Sequence, residues 1–275
     1  DQAVHAIEPF EGGWVAHTKT LRVICDCLLI CSGGRSYPKT GTTGDGYGWL
    51  ADLGLDLVEP VPALAPLASP ASWIRDLSGV AVDGELRIGK ARRRRPVLFT
   101  HRGLSGPAAM DLSEIIARGG TGEARLDLVP DLSWERLRTE FVEAAGRPGS
   151  PRIASLIPLP RRVVEMLARR AELGEANPQV NQLSKAARHR LIDTLKGLRI
   201  PISGTLGFDK AEVTAGGLAL HEVERRTMGV HKAPGLHVFG EILDLTGPIG
   251  GFNFQAAFAT AELAARAVVD TKKNR

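Results

Sequence analysis

The chain has 275 residues, 43% of them hydrophobic, with a formal net charge of +4. That composition suits folded cores rather than disorder, and no apolar run reaches the roughly 18 to 20 residues that a membrane-spanning helix needs. The mild positive charge admits an acidic ligand without demanding nucleic acid.

The first thirty residues read as a strand meander over 3–8, 14–19 and 22–31, with Glu11-Gly12-Gly13 turning between the first two. They lack the order of a signal peptide, so a cytoplasmic location is expected. Residues 26–31 are nearly all apolar and stop at Ser32-Gly33-Gly34, which predicts a strand buried on both faces. Cys25, Cys27 and Cys31 form neither a disulfide framework nor a CxxC pair. Alternate strand positions make the first two small buried groups, and no metal site is expected.

A short helix is predicted over 45–53. Pro60, Pro62, Pro66 and Pro70 then break regular structure and mark a crossing into another domain. Strand signals follow at 79–89 and 96–101, and helical segments at 105–117, 133–145, 160–173 and 181–196. Arg92 to Arg95 is the one strong charge run. With no aromatic residue interleaved to stack bases, it reads as a solvated loop between strands rather than an RNA contact. Sheet character returns at 211–214, 218–224 and 236–239. A final helix over 252–270 spaces Phe254, Ala257, Phe258, Ala261, Ala264, Ala265 and Val268 so that one face packs on the sheet.

Three glycine-rich segments stand at strand ends. The densest runs from Gly240 through Glu241, Asp244, Gly250, Gly251 and Phe252 to Asn253, between a strand and a helix. A helix start there leaves N–H groups free for an anionic or carbonyl-bearing ligand, and Glu241 and Asp244 suit sugar hydroxyls. A tight turn with a glycine cap accounts for the same spacing. The other two are the loop from Ser32 to Gly46, with Gly33, Gly34 and Ser36, and the segment 213–217, with Thr214 and Gly216. Ligands of open α/β sheets gather at such strand ends. Gly46-Tyr-Gly-Trp-Leu-Ala51 fits G-x-G-x-x-A, but a long loop separates it from its strand, so it is discounted.

Four segments, 33–47, 99–107, 213–217 and 240–255, resemble the BaiN/YhiN-like flavoproteins, also described as aminoacetone-oxidase-type or NAD(P)/FAD-dependent oxidoreductases. The resemblance implies an α/β FAD-binding domain of the glutathione-reductase type, interrupted by an α+β inserted domain. The FAD-binding parts would be 1–59 and 207–275, and 60–206 would be the insertion that roofs the flavin and shapes the substrate pocket. It places Gly33 and Gly34 by the cofactor, Glu241 and Asp244 against its ribityl or pyrophosphate part, and Gly250 to Asn253 at the helix start beneath the flavin. Val4 matches the meander position beside the adenine. Ser36, Thr214, Gly216 and Gly240 complete the expected cofactor contacts. Family members begin with a βαβ unit carrying G-x-G-x-x-G, whereas this chain begins inside the later meander, so the domain is expected to be truncated at its N-terminus.

The activity implied is FAD-dependent reduction of an unsaturated or carbonyl-bearing small molecule, with NAD(P)H as donor. A flavin-dependent amine oxidase and a non-catalytic remnant or RNA-contacting module are the alternatives. His101, in a Gly/Ser/Pro-rich loop, is the candidate proton donor; capping the helix that follows is its other role.

Overall fold

The computed structural model describes residues 2–120 and 122–273. Its contacts divide the chain into two compact units, Asp1–Ala65 with Gly207–Arg275, and Pro66–Leu206. The fold is mixed α/β.

The first unit opens with β1 (Val4–Phe10), β2 (Gly13–Thr18) and β3 (Arg22–Cys25), an antiparallel meander in the order β1-β2-β3. Trp14 is buried, and its indole N–H donates to the Pro234 carbonyl at 3.0 Å, tying the meander to a segment 220 residues away. The run expected as one strand over 22–31 is two. It breaks at Asp26-Cys27, and β4 (Leu28–Ile30) joins a different sheet. Nor is it covered on both faces, since Leu29 is 40% exposed. Cys25 and Cys27 are half-buried and Cys31 is exposed, so none is the enclosed group that strand alternation suggested. Helix α1 (Asp45–Asp52) follows, and then β5 (Leu57–Ala63), which runs through Pro60 and Pro62. Those prolines do not break the chain because β5 is paired on one side only, where a missing N–H is tolerated.

The second unit contains β6 (Leu67–Ala68), β7 (Ala81–Ile88), β8 (Ala91–Thr100), β9 (Gly103–Ser105), α2 (Pro107–Asp111), α3 (Ser113–Ala117), β10 (Glu123–Asp127), α4 (Trp134–Gly146), α5 (Ile153–Leu156), α6 (Arg161–Arg170), α7 (Lys185–Lys196), β11 (Leu198–Pro201) and β12 (Gly204–Thr205). Its strands form one antiparallel sheet in the order β11-β10-β7-β8-β9-β6-β12. Alternate residues Val82, Leu86 and Ile88 are buried, so one face carries the core that the helices cover. Ser133 and Ser184 cap α4 and α7 by accepting from the N–H groups of Arg136 and Ala187. The charge run 92–95 is not a loop: it lies in β8, opposite β7. The helix expected over 105–117 is broken at Leu112 into α2 and α3.

The first unit then resumes with β13 (Val213–Leu218), β14 (Leu236–Val238) and α8 (Phe252–Lys273). β14 pairs with β4 in parallel, Leu236 opposite Leu28 and Val238 opposite Ile30. The strand expected over 218–224 is instead a 3-10 turn at Leu220–Glu222. There Asp56, His221 and Glu222 come together. Glu222 is buried, and Lys232 Nζ at 2.8 Å, with the Asp56 N–H at 3.0 Å, holds its carboxyl below the ordinary value of 4.5. Among the α8 residues whose burial is described, Thr260 and Ala264 are buried, while Phe254 and Phe258, expected to pack, are each 75% exposed.

Segment 213–217, expected as a loop, is the buried strand β13, paired antiparallel with β5 and bulged between Ala215 and Gly217. Its glycines are there for backbone contact. A Cβ at Gly216 (φ 91°) would lie 2.4 Å from the Glu59 carbonyl oxygen, and one at Gly217 (φ 124°) 2.2 Å from that of Ile242. This approach lets the Leu218 N–H donate to Ile242 and the Asp244 N–H donate to Leu218. Gly217→Ala should therefore cost on the order of 3 kcal/mol or more in urea denaturation, since strain and collision add. At Gly12, also at positive φ, a Cβ meets nothing within 4 Å, and Gly12→Ala should cost only about 1 kcal/mol. Equal losses would show that the close approach does not hold these segments together.

Candidate functional site

Three sequence-distant segments of the first unit meet in a buried polar knot. Thr214, 1% exposed, donates its backbone N–H to Glu241 Oε1 at 2.7 Å. Its hydroxyl oxygen accepts from the Arg35 N–H at 2.7 Å and lies 3.2 Å from the Ser36 hydroxyl. Gly34 fits between them: a Cβ there would lie 2.3 Å from Thr214 Oγ1 and 2.7 Å from Glu241 Oε1. Burial pushes the Glu241 carboxyl above its ordinary value, and the Thr214 backbone and hydroxyl bonds only partly oppose that rise.

Beside the knot lies a cavity of about 460 Å³, within the range of small-molecule sites. Gly240, Glu241, Gly250, Gly251 and Asn253 line it, together with the first turns of α8 at Phe254, Ala256 and Ala257. The leading N–H groups of a helix have no intrahelical partner and carry its positive end, which favours an electron-rich ligand. The glycines here differ from those in β13. Gly240 and Gly251 have φ of 82° and 88°, and a Cβ at either meets nothing within 4 Å, so they leave space rather than fill it. Asn253 braces this loop: its side chain accepts from the Gly247 N–H at 2.8 Å and donates to the Gly247 carbonyl at 3.0 Å.

Two buried hydroxyls, Tyr47 Oη and Thr246 Oγ1, have no protein partner. Buried polar groups are rarely left so, and Thr246 belongs to the loop that forms the cavity. Tyr47 is packed in the core of this unit, and burial, with Glu241 nearby, pushes its phenol well above its usual range. Open glycines, a helix start, a protonatable acceptor and unsatisfied hydroxyls fit the flavin end of FAD.

Of the residues read from sequence, Gly240, Glu241, Gly250, Gly251 and Asn253 share the cavity. Gly34, Ser36 and Thr214 stand behind it in the knot, with Gly33 adjacent in sequence. Gly216 is used for contact with β5. Asp244 is fixed by its backbone to Leu218, Phe252 is 56% exposed at the helix start, and Val4 pairs with Thr18 in the meander. His101 occupies the exposed turn between β8 and β9 in the second unit. Sequence reading passed over the apolar wall of Leu64, Val213, Leu245 and Ile249 and the cavity-lining Tyr37 and Glu212. Tyr37, Val213, Leu245 and Ile249 lie inside the glycine-rich segments but are neither glycines nor polar ligands for a sugar, and Leu64 and Glu212 lie outside them.

The chain is 32% identical over 268 residues to the ribosomal RNA dihydrouridine synthase of Escherichia coli (strain K12), covering 96% of this chain and 66% of that protein. It is 30% identical over 242 residues to the protein of the same name from Haemophilus influenzae, covering 86% of this chain and 59% of the relative. It is 28% identical over 278 residues to the 3-dehydro-bile acid delta(4,6)-reductase of Clostridium scindens, covering 97% and 68%. The chain thus spans about two thirds of the length of these relatives. The family model of the HI0933-like protein Rossmann domain matches residues 1–267, and the chain belongs to that family, within the FAD-dependent oxidoreductase superfamily.

Proposed function

We propose that this chain carries the flavin-ring site of a BaiN/YhiN-type reductase that uses NAD(P)H to saturate a carbon–carbon double bond conjugated to a carbonyl, with uridine in RNA as substrate. The observation that carries the reading is the cavity beside Glu241, where glycines without contacts meet the start of α8. Both reactions named for the relatives add hydrogen to a conjugated double bond, and two of the three names specify ribosomal RNA.

Bound FAD supplies hydride transfer from the nicotinamide to the substrate carbon. The chain's own part is placement. Gly240, Gly250 and Gly251 let the backbone approach a flat ring, and the positive end of α8 favours negative charge developing on it. Glu241, kept neutral more readily by burial, would accept from or donate to the sugar-like hydroxyls of bound FAD without adding a full negative charge near its phosphates. The Leu64, Val213 and Ile249 wall excludes water from one side.

Two substitutions in the full-length polypeptide test the site. Gly251→Val places a branched side chain in the open space, and Ala257→Leu fills the same cavity from α8 without backbone strain. Each should weaken FAD binding at least tenfold by fluorescence titration and lower in parallel the dihydrouridine formed in RNA, with thermal stability of the Ala257→Leu protein little changed. Full FAD affinity in both would place the flavin elsewhere.

A second outcome concerns Glu241. Because its folded-state carboxyl titrates above the ordinary 4.5, the unfolded chain ionises first as pH rises. The folded protein therefore loses stability from the ordinary carboxylate range up through the raised value. Glu241→Gln keeps an acceptor for Thr214 and removes that loss. Its stability relative to wild type should improve in urea denaturation as pH rises from the ordinary carboxylate value through the raised one. A difference that stays flat, or moves toward wild type, would contradict a desolvated carboxyl.

A further inference from the structure

We infer that the outer face of the sheet in the second unit docks the phosphate backbone of RNA, through a row of four arginines that the strand register assembles. The inference rests on the reading that the substrate is RNA, and it concerns a surface the flavin site does not include.

The row is Arg199, Arg125, Arg87 and Arg92. Arg199 of β11 lies opposite Arg125 of β10, Arg125 opposite Arg87 of β7, and Arg87 opposite Arg92 of β8. Residues directly opposite share a face, so four arginines from four neighbouring strands stand side by side across the sheet, their backbones spanning roughly 14 Å. All four are exposed, while their strand neighbours Leu198, Leu126, Leu86 and Ile88 are buried on the other face. Of the charge run, only Arg92 and Arg94 belong to this outer face. Arg95 turns the opposite way, where Asp111, its carboxylate almost wholly buried, holds it at 2.9 Å.

Like charges directly opposite one another destabilise a sheet, and here there are three such pairs in succession. Carboxylates relieve the strain only in part. Arg87 pairs with the half-buried Glu85 and Arg125 with Glu123 along their own strands, and Arg94 pairs with Asp131; the arginines themselves are exposed, where an ion pair is weak and exchangeable. Among the described residues, no carboxylate forms an ion pair with Arg92 or Arg199, at the two ends of the row. At the Arg199 end the row runs into a cavity of about 390 Å³ lined by Arg125, Arg170, Lys196 and Arg199, with Asp193 the single acid.

A row of arginines matches a phosphate backbone, since each planar guanidinium fork can donate two parallel N–H bonds to two oxygens of one phosphate. The row contains no aromatic residue, so it grips backbone and leaves base choice to the flavin site. It also lacks the apolar anchors that would set this face into a membrane surface.

The test uses the full-length, FAD-loaded protein, with fluorescein-labelled oligouridine and a ribosomal RNA hairpin as probes. Anisotropy is read against salt for wild type, for Arg92→Gln/Arg199→Gln, and for the variant with all four arginines changed to Gln. The double variant should bind both RNAs at least tenfold more weakly, and its slope of log affinity against log salt should fall by about 1.4 on single strands, about 0.7 for each lost phosphate contact. FAD content should be unchanged, and the melting temperature no lower than wild type, because like-charge pairs are removed. The fourfold variant should lose more of both affinity and slope. If wild type makes dihydrouridine in RNA and both variants bind as wild type does, the docking surface is wrong while the substrate reading stands. If wild type neither binds nor modifies RNA, the reading itself fails and takes this inference with it. Equal losses toward polyglutamate, or toward phosphatidylserine vesicles, would overturn the assignment to RNA.

Discussion

The hydrogen bond from the Thr214 N–H to Glu241 Oε1 holds together the end of the first unit that carries the candidate site. It joins a strand from the second half of that unit to the loop after β14, and through the Thr214 hydroxyl it reaches Arg35 and Ser36 in the loop after β4. A carboxyl at the centre of such a knot loses solvation, which is why burial dominates its titration. The bonds it keeps are short and directed, so β13 and the two loops have one arrangement rather than many. The cavity inherits its shape from that arrangement.

The glycines of the unit divide by what surrounds them. At Gly34, Gly216 and Gly217 another chain atom already occupies the Cβ position, and the residue exists to let two segments touch. At Gly240 and Gly251 the Cβ position is open on the cavity side. The first group builds the knot, and the second leaves room beside it for a ring. A flavin site needs both, a rigid floor and an unobstructed surface over it. The second unit has its own core around Phe99, Leu104 and Phe141, and its polar investment is on the outer face of its sheet.

Much of this was legible in the residues. The apolar runs before the two glycine loops marked the strands at 26–31 and 236–239, though their parallel pairing appears only in the register, and the long final helix follows from its spacing. The glycine motifs located the cavity. What sequence did not show has physical causes. Pro60 and Pro62 read as breakers because periodicity cannot tell that β5 is paired on one side only. Segment 213–217 read as a ligand loop because a glycine used for backbone contact and one used for open space look alike in sequence. Arg92 to Arg95 read as a loop because four arginines carry no alternation. Only the register with β7, β10 and β11 reveals that Arg92 is the end of a row. The apolar wall of Leu64, Val213 and Ile249 comes from segments that meet only when folded.

The central claim is that the knot and its cavity hold the flavin end of FAD. Backbone hydrogen exchange of the full-length polypeptide, followed by mass spectrometry with and without saturating FAD, reads this without altering a residue. Exchange should slow in 33–36, 212–214 and 240–257, and stay unchanged across the β7–β8 hairpin at 81–100. Unchanged exchange across 240–257, with protection appearing elsewhere in the described chain, would contradict the account.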